Sequence, residues 1–89
     1  MNSLVELINE CINTGKYITY RFTNKYGDAE IIFYPVEVTL DNGGLYILNK
    51  DGCFISIYDP FSLILAHRND ELENEMVLHN DEVRYEFVF

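Results

Sequence analysis

Apolar residues follow two regimes along the chain, first at helical spacing and then at a spacing near two. Leu4, Leu7, Ile8, Cys11 and Ile12 recur every three or four positions and form one stripe. Ser3 and Glu6 have the Ser-x-x-Glu spacing of a capping box, and Gly15 stands where a helix ends on a left-handed residue. The pattern predicts an amphipathic helix over 3–14 whose stripe must be covered. From Lys16 to Thr23 the chain alternates, with Ile18, Tyr20 and Phe22 on one face and Tyr17, Thr19, Arg21 and Thr23 on the other. Asn24-Lys25-Tyr26-Gly27-Asp28 then reads as a turn with Gly27 left-handed.

Ala29 to Leu40 reads as one long strand, with Ile32, Tyr34, Val36, Val38 and Leu40 on a shared face. Pro35 has no N–H to give a ladder and marks an edge, bulge or bend, as closing a small barrel requires. Asp41-Asn42-Gly43-Gly44 is a hairpin signal, followed by a strand at 45–48 and a turn at Asn49-Lys50-Asp51-Gly52. Cys53, Ile55 and Ile57 oppose Phe54, Ser56 and Tyr58 in the next strand; Asp59-Pro60 breaks it, and Phe61–His67 follows as a short strand. Between 69 and 82 the alternation collapses among acidic residues, which predicts a loop or short helix. Val83, Tyr85, Phe87 and Phe89 alternate in a closing strand at 83–89. The expected fold is α+β: one domain, 1–89, with the helix on a strongly bent antiparallel barrel of five to six strands, its barrel strands within 16–68. Its expected core includes Leu4, Ile8, Ile12, Ile18, Tyr20, Val36, Ile47 and Ile55, and the apolar segment 85–89 is expected to pair with another chain or pack at an interface in a homo-oligomer.

Composition narrows the function. The 89 residues are 48% hydrophobic and 15% aromatic, enough for a core despite the charge. A net charge of -9 disfavours duplex DNA and anionic membranes as partners. No apolar run reaches bilayer-spanning length, and Met1-Asn2-Ser3-Leu4 lacks a signal-peptide start. A cytoplasmic protein of a bacterial or phage-infected cell is expected, with Cys11 and Cys53 as reduced, buried thiols. No nucleophile, metal or cofactor motif is present, so neither catalysis, cofactor nor metal is expected. The pairs Asp70/Glu71 and Asp81/Glu82 would need burial to act as acid and base, and no calcium-loop spacing accompanies them.

Several features together resemble the WYL domain, a small Sm/SH3-like barrel of bacteria and their phages. They are the helix ending at Gly15, the strand Lys16-Tyr17-Ile18-Thr19-Tyr20, Pro35 in the second strand, and Leu45-Tyr46-Ile47 at the place of the Trp-Tyr-Leu triplet. Phe54–Leu65 stands where the final strand pair would be, so the likeness covers residues 4–68. Leu45 replaces the tryptophan, and Phe54-Ile55-Ser56-Ile57 lacks the arginines that often follow the triplet. The resemblance implies a non-catalytic barrel that senses or sequesters a nucleotide-type signal in bacterial defence or counter-defence. Bases would stack on Tyr46 or Tyr58, and Arg21, Lys25 or Lys50 would hold phosphate.

Charge distribution supports an alternative. Residues 1–50 hold four basic and six acidic side chains, whereas residues 51–89 hold two basic and nine acidic. The second half can dock a basic protein, with Asp70, Glu71, Glu73, Glu75, Asp81 and Glu82 in the place of phosphates. Anti-CRISPR and anti-restriction inhibitors occupy the basic site of an enzyme in this manner.

Overall fold

The computed structural model describes residues 1–89 as one α-helix, a 3-10 turn and eight antiparallel strands in two sheets. The strands are β1 (Ile18–Asn24), β2 (Gly27–Phe33), β3 (Pro35–Leu40), β4 (Gly44–Asn49), β5 (Phe54–Tyr58), β6 (Ile64–Asn69), β7 (Asn74–His79) and β8 (Val83–Val88). One sheet runs β2-β1-β8-β7-β6 and the other β3-β4-β5, with no closed barrel among them.

Helix α1 (Asn2–Thr14) buries Leu4, Ile8 and Cys11 and packs along β3. Gly15 ends it at φ 67°, and the N–H of Lys16 donates to the Cys11 carbonyl. The capping box is not made. The helix starts one residue earlier, on Met1, whose carbonyl accepts the Val5 N–H, so Ser3 is already helical.

Ile18, Tyr20 and Phe22 face inward as the alternation requires; Tyr20 stacks on Phe87 and Phe22 on Tyr85 across the β1–β8 seam. Burial pushes the Tyr20 phenol well above its ordinary range, with Tyr85 adding to the shift. Gly27 keeps the positive φ expected of it, at 145°, but as the first residue of β2, leaving Lys25 and Tyr26 as the loop.

The expected long strand is two strands in two sheets, parted at Tyr34. Its phase also differs: Phe33 and Pro35 are buried, whereas Ile32, Tyr34 and Val36 are exposed. A register shift between Pro35 and Glu37 then turns Val38 and Leu40 back toward the core. Val36 therefore lies outside the core. Leu4, Ile8, Ile18, Ile47 and Ile55 are within it, and Ile12 and Tyr20 pack against it, half-buried.

The segment 69–82 holds the largest departure. Residues 74–79 form β7, an interior strand paired to β6 and β8, and its Met76, Val77 and Leu78 are buried. Only 70–73 and 80–82 are turns. Interior position also corrects the expectation that residues 85–89 pair edge-on with another chain: β8 is hydrogen-bonded on both sides, by β1 and β7, and offers no free edge. Cys11 is buried as expected, but Cys53 is exposed.

Candidate functional site

The five residues expected to bind a ligand do not form one site, and only Tyr46 and Tyr58 meet. Arg21 sits on the outer face of the five-stranded sheet with its fork occupied: Nε donates to Glu30 Oε2 at 2.8 Å, and Nη1 lies 3.7 Å from Glu86. Glu30 raises the guanidinium pKa further, through that hydrogen bond and its charge. Lys25 is in the β1–β2 turn, its Nζ 5.0 Å from the Tyr26 ring centre. That turn and Asp81-Glu82 of the β7–β8 turn line one open cleft of about 520 Å³, together with Arg84.

Tyr46 and Tyr58 do meet, edge to face at 6.2 Å, on the outer side of the three-stranded sheet. Tyr46 lies over Gly44, where a Cβ would stand 2.7 Å from its hydroxyl oxygen. Lys50 is remote from this pair in its contacts: its Nζ sits 4.1 Å above the ring of Tyr34. Tyr34 in turn packs at 5.9 Å on Tyr17, and both line a cleft of about 490 Å³ with Lys16, Thr19, Val88 and Phe89. The turn Asn49–Gly52 is fastened to this corner, since Tyr34 N–H donates to Asn49 Oδ1 and Lys50 N–H to the Tyr34 carbonyl. Lys16 and Tyr34 thus join Tyr17 and Lys50 in one cluster. Tyr34 reads from sequence only as a strand residue, because the break that exposes it is a tertiary event.

The acidic set also divides. Asp70, Glu71 and Glu73 form the β6–β7 turn with Glu75 at the start of β7, whereas Asp81 and Glu82 lie at the opposite end of β7. Asp70 is structural: its Oδ1 accepts the N–H groups of Leu72 and Glu73, and its Oδ2 the Arg68 guanidinium at 3.1 Å. Those two backbone donors, followed by Arg68, hold its carboxyl below the usual carboxylate range. Arg68 also approaches Glu73 at 3.9 Å and Glu75 at 4.0 Å. At the tip, Leu72 is 95% exposed between Glu71 and Glu73.

Every arginine is committed to carboxylates of its own chain, Arg84 to Glu86 included. That leaves Lys16, Lys25 and Lys50 as the cations outside ion pairs. At the exposed Cys53 the hydrogen bond and charge of Asp51 push the thiol pKa up, the direction opposite to thiolate activation. No cluster of three His, Cys, Asp or Glu side chains could hold a metal ion, and no helix is long and apolar enough to cross a membrane. Comparison with protein-family models, curated proteins and solved structures finds no match.

Proposed function

We propose that this protein is a non-catalytic interaction module that docks a basic protein, occupying an enzyme's nucleic-acid-binding site. The observation that carries the reading is the β6–β7 tip. A leucine 95% exposed between two glutamates is an apolar anchor ringed by negative charge. Burying such a side chain in a partner's pocket contributes about 1.5–3 kcal/mol, while the surrounding carboxylates speed encounter with a basic surface. The acidic groups at the far end of β7 lie roughly 20 Å away at strand spacing, so both ends of the sheet can engage one extended basic groove.

Displacement of a labelled duplex from a panel of RNA-guided and restriction nucleases tests this. The wild-type protein should release the duplex from its target, with association slowing as salt rises. Leu72→Ala should weaken the complex about 10-fold or more. Glu71→Gln with Glu73→Gln should slow association, and Arg21→Ala should change neither. Unaltered displacement by the Leu72 and glutamate variants refutes the reading.

A second reading rests on the Tyr17–Tyr34–Lys50 corner, where two tyrosines and Lys16 border one cleft and the Lys50 ammonium sits over the Tyr34 ring. It takes up the WYL resemblance, with the two sheets as an opened Sm/SH3-like barrel and a nucleotide-type signal sequestered there. Cyclic dinucleotides at about 100 times their dissociation constant would then stabilise the fold by roughly 2.7 kcal/mol. That amounts to a melting shift of several degrees, removed by Tyr34→Ala.

A further inference from the structure

Four strands border open sheet edges: β2, β3, β5 and β6. Three carry features that discourage pairing. Strand β3 has Pro35 and the adjacent bulge, β5 has five residues before Asp59 (φ 50°) and Pro60, and β6 has His67 and Arg68. Strand β2 has only Asp28 and Glu30, and Glu30 is already held by Arg21 of the neighbouring strand. Six of its seven residues are exposed, its only ladder partner is β1, and it shows Ile31 (46% exposed) on one face and Ile32 (52%) on the other.

The ladder fixes which of its backbone groups are free. Asn80 N–H donates to the Val83 carbonyl and Phe89 N–H to that of Asn74, which sets the alternation across β7 and β8. Carried through the β8–β1 and β1–β2 registers, it turns Gly27, Ala29, Ile31 and Phe33 toward β1. Asp28, Glu30 and Ile32 direct their N–H and C=O groups outward.

We infer that β2 is a homodimer interface, pairing antiparallel with the partner's β2 about a twofold axis that sets Ile31 opposite the partner's Ile31. Two registers centred on Glu30 or Ile31 satisfy the free backbone groups; a third, centred on Ala29, opposes Asp28 to the partner's Glu30 and is disfavoured by like charge. One sets Glu30 against the partner's Glu30, a like-charge pair. The other pairs Glu30 with the partner's Ile32, Ala29 with the partner's Phe33, and the two Ile31 side chains with each other at a closely spaced non-hydrogen-bonded position. It also brings Asp28 to the level of the partner's Tyr34, which in each chain carries the Lys50 ammonium on its ring. Charge and apolar complementarity both select this second register. In it the Ile31 side of the apolar cleft of about 430 Å³ beside Tyr20, Phe22 and Tyr85 is covered by the partner.

Cross-linking tests the register. In a Cys53→Ser background, Ile31→Cys places two thiols across a pair whose Cα atoms stand about 4.5 Å apart, within disulfide reach. Oxidised glutathione should convert it to a covalent dimer, and Glu30→Cys should stay largely uncrosslinked. The opposite ranking, or no cross-link from either, overturns the proposal. Sedimentation of the unmodified protein should show a dimer that tightens with salt, since each chain carries -9. Ile31→Lys should sediment as a monomer with unchanged circular dichroism. A 10.4 kDa species for the wild type up to millimolar concentration also overturns it.

Discussion

Gly44→Ala separates two reasons for a glycine beside a turn. Gly44 closes the Asp41–Gly44 hairpin signal, but its φ is not positive, and an alanine is compatible with its backbone. The obstacle is packing: a Cβ there would stand 2.7 Å from the Tyr46 hydroxyl oxygen, 2.8 Å from its Cζ and 3.1 Å from the Ile57 carbonyl oxygen. The Tyr46 ring must swing away, and its edge contact with Tyr58 is lost. Overpacking of this kind costs about 1–3 kcal/mol and the aromatic pair contributes about 0.5–1.5 kcal/mol. Restricting the unfolded chain returns about 0.4–1 kcal/mol. The net loss spans about 0.5–4 kcal/mol and centres near 2 kcal/mol, which for a domain of this size lowers Tm by roughly 8–16 °C. Urea denaturation of Gly44→Ala, Tyr46→Ala and the double variant closes a cycle. Most of the cost should vanish once Tyr46 is alanine, giving a coupling of about 1–2 kcal/mol. An equal cost in both backgrounds would refute the argument and assign the penalty to the Ile57 carbonyl.

Two further outcomes follow from the β6–β7–β8 meander. Met76→Ala, in a fully buried position of β7, should cost about 2–5 kcal/mol in chemical denaturation, and a loss below about half a kcal/mol would show that β7 is peripheral. Asp70 has a folded pKa below its unfolded one, so its contribution is present above the ordinary aspartate range, near pH 4, and is lost as pH falls through the folded value. The Tm advantage of wild type over Asp70→Asn should accordingly be steady near pH 6 and shrink below about pH 4; a gap independent of pH contradicts the capping role.

Local signals carried the helix and β1 because each element buries one face and shows the other to solvent. The Ile31-Ile32-Phe33-Tyr34 run has no such contrast: four consecutive apolar residues fit either strand phase, and the burial of Phe33 and Pro35 selects the one that alternation does not indicate. Strand β7 is hidden for a related reason. Met76 and Leu78 enter the core while Val77 is buried on the opposite face, beside Ala66 and the largely covered Glu86, so its pattern is a short apolar block set among acids. The candidate sites were legible as residue types but not as groupings. Arg21, Lys50 and Tyr46 have the right chemistry, yet cross-strand register delivers Arg21 to Glu30, and the β4–β5 turn delivers Lys50 to Tyr34.

The β1–β8 seam joins Thr19 to Val88 and Asn24 to Val83, so the first strand waits for the last strand in chain order. At ribosomal speeds the sixty or so intervening residues take roughly 3–12 s to appear. Throughout that interval the nascent β1–β2 hairpin has both margins bare, with Tyr20 and Phe22 lacking the rings of Phe87 and Tyr85 that will cover them. Non-local closure of this kind slows maturation and lengthens exposure to mispairing and chaperone capture. A chain stalled before Val83 holds the helix and three unjoined sets of strands, β1–β2, β3–β4–β5 and β6–β7, and its yield in the cell depends on how quickly synthesis resumes.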